Sequence, residues 1–260
     1  MSLRSRDDLT LILNASEGCL QIVLARATDI YISYGAGLEN HATELFAPVF
    51  TDLLHTLHLK LEMLQRLACV CGPGSFTGIR LVLTTALALR RSCGMLVAGL
   101  NYLQALAVEA QMLGQLAKDT CIYVVTHARQ NLVHLQSFTV GDDCVQPTSD
   151  ISLVAPTHMA TLVKPKSYVI GSGLLRNSDL INALKKQDVS ILALSEPSPK
   201  ALVELATRAQ YSDEDLTPLY VRPCDALTQL DSLCVKQGLS PSATSKKVTH
   251  LLHEAPRSFL

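Results

Sequence analysis

The residues whose types and spacing best suit chemistry lie in one turn, Gly72-Pro73-Gly74-Ser75-Phe76-Thr77-Gly78, with Arg80 behind it. A glycine-rich turn that opens a helix can cradle a phosphate or present a nucleophile, and each use has a fixed spacing. A dinucleotide fingerprint, G-x-G-x-x-G, fails because Thr77 holds the sixth position. A P-loop fails because no lysine follows Gly78, and a G-x-S-x-G elbow fails because Pro73 and Thr77 flank Ser75. What remains is a helix start capped by Ser75 or Thr77. Its amides, at Gly74, Ser75, Thr77 and Gly78, could hold an anion with help from Arg80, and Arg129 is a further anion candidate in a later turn. Glycines that simply permit a sharp strand-to-helix turn explain the same pattern, and that reading is preferred. Elsewhere, His55 and His58 are three apart with no third ligand in view, which reads as solvent-facing histidines. The eight cysteines show no C-x-x-C pair and no zinc spacing. No catalytic residue, metal set or cofactor is expected.

The elements that position the turn are legible around it. Leu67 to Cys71 is a short apolar run stopped by Gly-Pro-Gly, the mark of a buried strand. The helix that follows carries Ile79, Leu81, Val82, Leu83, Ala86, Leu87, Ala88 and Leu89 over almost its whole circumference, with Arg80, Arg90 and Arg91 at its ends. Such a helix must be covered on more than one side, by a sheet and by something else. His41 to His58 repeats the theme, with an apolar stripe at Leu45, Phe46, Val49, Phe50, Leu53, Leu54 and Leu57, and Pro48 predicts a kink. Leu9 to Leu13, Leu20 to Arg26 and Asp29 to Tyr34 read as an antiparallel meander turned by Asn14 to Gly18. Cys121 to Thr126 and Leu132 to Val140 read as strands of a second sheet. Pro156 to Leu162, Ser178 to Gln187 and Pro199 to Gln210 read as helices. No internal repeat is evident in the sequence.

Composition sets the bounds. The chain has 260 residues, 48% hydrophobic and 17% charged, with 22 basic and 23 acidic side chains, so a large core can form and no basic surplus draws the whole chain to nucleic acid. The first ten residues lack a signal-like apolar run and no stretch reaches the ~20 apolar residues of a membrane span. With cysteines spread as small hydrophobes, the expectation is a cytoplasmic protein without a membrane partner.

The turn also carries a resemblance. Gly72 to Gly78 with Arg80, followed by Gly99-Leu100-Asn101-Tyr102-Leu103-Gln104-Ala105-Leu106-Ala107, resembles the bacterial TsaB (YeaZ) family, whose pattern is GPGSFTG(L/V)R and then a strand ending near G-V-S-x-L-x-x-L-A. Weaker echoes are Ala128-Arg129, the glycine turn after Tyr168-Val169-Ile170, and Pro218-Leu219-Tyr220-Val221-Arg222-Pro223. The resemblance implies an α/β fold of the ribonuclease H-like, actin-like (ASKHA) kind, with two similar subdomains of mixed sheet plus helices. Residues 1–105 would form the first, residues 106–225 the smaller second, and 226–260 a flexible tail.

It further implies a noncatalytic subunit of the machinery that makes threonylcarbamoyladenosine (t6A) beside the anticodon of tRNA. Such a subunit pairs with a TsaD-like catalytic subunit and a TsaE-like ATPase, or with itself when alone, and meets tRNA only through the complex. The two long helices would form the interface through His41, Leu45, Val49, Leu53, Ile79, Val82, Leu83, Ala86 and Arg90. Two departures bear on this: Leu13 and His127 stand where the family carries Asp. Their absence weighs against the alternative, an ATP-dependent transferase or kinase of the same fold acting on its own. A peptidase, the third reading, would want a metal motif such as H-x-x-x-H, which is not found.

Overall fold

The computed structural model describes residues 9–37, 42–129 and 131–221. The chain up to Leu219 forms one compact unit. Its first sheet has the order β3-β2-β1-β4-β5. Strands β1 (Leu9–Asn14), β2 (Cys19–Arg26) and β3 (Asp29–Gly37) are the expected meander; β4 (Arg66–Val70) and β5 (Leu96–Leu100) continue it in parallel. The second sheet repeats this plan. Strand β6 (Cys121–Arg129) pairs antiparallel with β7 (Leu132–Val140), which is flanked by the short strands β8 (Val145–Pro147) and β9 (Ser152–Val154). On its other side β6 is parallel to β10 (Ser167–Ile170), itself parallel to β11 (Val189–Leu192). Two similar halves of ribonuclease H-like order are therefore present, although the sequence shows no repeat.

Helices cover both faces of each sheet. On the outer face of the first sheet lie α1 (Ala42–Thr56), which contains the exposed Pro48, and α2 (Phe76–Cys93). On the outer face of the second lie α4 (Pro156–Leu162), α5 (Ser172–Leu175) and α6 (Ser178–Leu184). Between the sheets run α3 (Tyr102–Gly114), against the second sheet, and α7 (Pro199–Arg208), against the first. Strand alternation follows from this layering. Ile12, Val23, Ala68 and Val70 point to the central helices, while Leu11, Leu13, Leu67 and Cys69 point to α1 and α2. Among the described residues no helix is long and apolar enough to cross a membrane.

The central helices join the halves more closely than a division at residue 105 implies. That boundary runs through α3, and α7, assigned to the second half, returns to the first sheet. Ala105, Ala107 and Ala110 are fully buried and let α3 and α7 pack closely. One charged group crosses between them. Glu109 of α3, 5% exposed, accepts a hydrogen bond from the Ser198 amide at 2.8 Å, and the Ser198 hydroxyl caps α7 by accepting from Ala201 at 3.2 Å. The chain after α7 then lies along β5, where Val97 and Ser212 exchange backbone bonds of 2.8 and 3.0 Å, so the edge of the first sheet is covered. The tail from residue 226 lies outside the described residues.

Glu109 supplies an acceptor that nothing else replaces at Ser198. Glu109→Ala is expected to cost about 1–3 kcal/mol, the price of a buried donor left unbonded. Glu109→Gln, which keeps an acceptor oxygen, is expected to stay nearer the wild type in urea denaturation.

Candidate functional site

The glycine turn is a joint between backbones. Ser75 caps α2, its hydroxyl accepting from the Gly78 amide at 3.3 Å. Its own amide donates to the Ser16 carbonyl, 2.5 Å away, in the β1–β2 hairpin. A Cβ on Gly78 would lie 1.8 Å from the Ala15 carbonyl oxygen, and one on Gly74 would lie 2.1 Å from that of Ser16. Both glycines are there so that the helix start can press on the hairpin. This corrects the anion reading: the amides of Ser75 and Gly78 are already bonded within the protein. Thr77 is exposed and caps nothing. Arg80 lies over the exposed Phe76 ring, 3.9 Å from its centroid, and Arg129 is exposed at the end of β6 in the other sheet.

The hairpin is wired from within as well. Asn14 accepts from the Ser16 amide at 3.0 Å and donates to Gln21 at 2.7 Å, and Gln21 donates to the Pro197 carbonyl at 2.8 Å. Leu13 is fully buried in the apolar core beneath α1 and α2.

The second half repeats the joint. A Cβ on Gly171 (φ +116°) would lie 2.2 Å from the Val125 carbonyl oxygen of β6, and the Ser172 hydroxyl accepts from the His127 amide at 3.0 Å. Glu17, at the tip of the first hairpin, reaches this second joint. There the Ser172 hydroxyl and the His127 amide favour its ionised form. Burial pushes Glu17 up to about 7, against the pull of Ser172, Arg176 and the His127 amide and with a further push from Glu196. Burial and Arg176 together lower the His127 imidazole. Cys19 is pushed up to about 12 by burial and by Glu196. Burial raises the Tyr102 phenol, as do the charges of Glu17, Glu196 and Cys19; its hydroxyl donates to the Ser195 carbonyl at 3.2 Å. Sequence reasoning did not single out Glu17, Ser172 or Glu196. Glu17 had one signal, an acid at the tip of a hairpin that is otherwise apolar and amide-bearing. Among the described residues no three His, Cys, Asp or Glu side chains are grouped to hold a metal.

The outer helices divide the predicted interface. Ile79, Val82 and Ala86 are 1%, 0% and 2% exposed and belong to the core, not to a surface. Arg90 is bound to the Asp213 carbonyl and the Asp215 carboxylate of the chain lying along β5, so it too is engaged within the protein. Val49 and Leu53 are half-buried and pack on the first-sheet core. Leu45 and Leu83, with Leu87, are half-exposed and lie outside the core clusters. They flank exposed Thr84 and Ala88 on α2 and exposed Thr43 and Glu44 on α1. His41 lies outside the described residues. His55 and His58 are exposed, as expected.

The sequence matches the family described as TsaD, tRNA N6-adenosine threonylcarbamoyltransferase, over residues 23–251. It is 29% identical over 186 residues to the uncharacterized protein Rv3421c of Mycobacterium tuberculosis, covering 72% of this chain and 77% of that one. A structure described as YeaZ from Pseudomonas aeruginosa superposes with a TM-score of 0.66 at 19% identity, covering 82% of this chain and all of the other. A second Pseudomonas aeruginosa structure, of an uncharacterized protein with similarity to peptidase YEAZ, gives 0.70 at 19% identity over 83% of this chain and all of that one. At that identity the superpositions establish the shared fold.

Because the Ala15 carbonyl is backbone and cannot swing away, Gly78→Ala is expected to lose about 3 kcal/mol or more of stability. Thr77→Ala, one residue away and exposed, is expected to stay within about 0.5 kcal/mol. Chemical denaturation of the two variants checks this; equal stabilities would contradict the joint.

Proposed function

We propose that this chain, which belongs to the TsaD family, tRNA N6-adenosine threonylcarbamoyltransferase, is a noncatalytic subunit that pairs with a TsaD-like catalytic partner. A role in the t6A modification of tRNA is what the family match over residues 23–251 supports. The observation that carries the subunit reading is the state of the first glycine turn. Where an enzyme of this fold would offer free amides to a phosphate, this chain bonds the Ser75 amide to the Ser16 carbonyl and the Gly78 amide to the Ser75 hydroxyl. Leu13 contributes no charge, and His127 carries a lowered pKa that favours the neutral ring. The outer stripe of α1 and α2, centred on Leu45, Leu83 and Leu87, is the surface through which it would pair, with a TsaD-like subunit or with a second copy of itself. A TsaE-like ATPase would join the pair, and tRNA would be met by the assembly. Burial of apolar area at about 25 cal/mol per Å² would drive pairing, reduced by the cost of association.

Light scattering after size exclusion, on this chain alone and mixed with the TsaD of the same organism, tests the proposal. A 1:1 complex is the expected result. Leu83→Glu is expected to weaken that complex by at least about tenfold with the fold retained. Val82→Glu, which would put a charge at a fully buried site, is expected to unfold the chain before any effect on pairing can be read. Failure of two folded proteins to pair, or full affinity in a folded Leu83→Glu variant, would overturn the subunit reading or its interface respectively.

A further inference from the structure

Most of the basic side chains in this fold are engaged. Arg26 lies over Tyr31, Arg66 over Tyr211 and Arg80 over Phe76. Arg90 and Arg91 reach Asp215, Lys118 reaches Asp142, and Arg208 reaches Glu204. One group stands apart. Lys164, Lys166, Lys185 and Lys186 are all exposed, and among the described residues none of their side chains has an ion-pair or hydrogen-bond partner.

The fold brings these four together. Lys164 and Lys166 lie in the loop between α4 and β10, and Lys185 and Lys186 in the loop between α6 and β11. Strands β10 and β11 are parallel neighbours, with Ser167 beside Val189, so both loops lead into the sheet at the same end. The loops are tied to each other. The Lys166 amide donates to the Asp188 carbonyl, and the Gln187 side chain donates to the Ala160 carbonyl of α4 at 2.9 Å. Lys166 has a φ of +58°, a left-handed backbone that glycine or asparagine adopts more readily. A lysine there is a charge placed against the local preference. The acid in these loops is Asp188, also exposed, so four positive charges stand against one negative in a chain whose formal net charge is −1.

We propose that this patch binds the phosphate backbone of RNA, as this subunit's contribution to holding tRNA in the assembly proposed above. The identity of the RNA rests on that reading; the patch itself rests on its charge. Lysines are depleted at the centres of protein interfaces, whereas they are regular partners of nucleic-acid phosphates. Contacts of this kind position an RNA without reading its sequence. The patch belongs to the second half and the apolar stripe of α1 and α2 to the first, so RNA and a protein partner do not compete for one surface.

Binding of fluorescently labelled tRNA across a range of salt concentrations tests it, on this chain alone and on its mixture with the TsaD of the same organism. One variant carries Lys164→Ala, Lys166→Gly, Lys185→Ala and Lys186→Ala, with glycine chosen to suit the backbone at 166. A second carries Lys164→Arg, Lys166→Arg, Lys185→Arg and Lys186→Arg. The slope of log affinity against log salt is expected to fall by about 3 in the first variant, since each lost phosphate contact removes about 0.7–0.9, and to be kept in the second. Wild-type affinity and slope in a folded first variant, or no tRNA binding by either wild-type sample, would overturn the patch. Loss of binding to a TsaE-like ATPase with tRNA binding retained would assign the lysines to an acidic protein and overturn it equally. Light scattering of the same mixture reads pairing separately. A fall in slope for the chain alone, without any pairing, would keep the patch and remove the subunit reading.

Discussion

Two carbonyl oxygens, of Ala15 and Val125, stand where a side chain at Gly78 or Gly171 would have to be, and the arrangement of this molecule depends on those two contacts. In each half a strand ends in a glycine turn whose helix is thereby pressed onto the neighbouring hairpin, at its tip in the first half and along β6 in the second. Hydrogen bonding finishes what the sterics begin. Ser75 ties its turn to Ser16, and Ser172 accepts from His127, so the tips are fixed in direction as well as position. Free hairpin tips of this length would be expected to be mobile, since they bury little apolar area of their own. Clamped, the first of them holds Glu17 beside Ser172.

The polar groups between the halves follow from that clamp. A space bounded by hairpin tips and helix starts is rich in backbone donors and acceptors, and these must be satisfied once water is excluded. This chain meets much of that demand internally, although the buried Ser16 hydroxyl is left without a partner. Asn14, Gln21 and the Pro197 carbonyl form one run of bonds, and Glu109 with Ser198 another. Both runs end at the segment that begins α7, so the same residues that close the first hairpin also set where the second central helix starts. Polar wiring and helix packing are therefore one constraint, and the spacing of the two sheets is determined at the α3–α7 contact.

Much of this order was legible in the residues. The meander, the β6–β7 pair and the helices at Pro156 and Pro199 follow from alternation, turn residues and N-terminal prolines, and the structure has each of them. The short strands β8, β9 and β11 did not stand out, because three or four residues are too few for a period to show. The duplicated plan was hidden for a different reason. It is carried by backbone contacts at Gly78 and Gly171, which set no pattern in the intervening sequence. The glycine turn was read correctly as a turn, while one of the amides considered for an anion, that of Ser75, proved to be bonded to the hairpin. That partner is some sixty residues away, and no local motif reports it.

The outer helices show why surface and core are hardest to separate where a helix is apolar all round. A helix with one apolar stripe reveals its buried face by the phase of the stripe. Helix α2 has no such phase: Val82 and Leu83 are equally apolar in sequence, yet one is fully buried and the other half-exposed. The same ambiguity is itself informative. Ala88 and Thr84 on the outer side are small, and Leu83 and Leu87 flank them, so the exposed surface is a shallow apolar strip carried on a helix that the sheet holds rigidly from behind. A strip presented in this way loses little conformational freedom on docking, which favours association over a flexible surface of equal area. The fold has thus spent its polar groups on closing the space between its halves and left its apolar surplus on the outside.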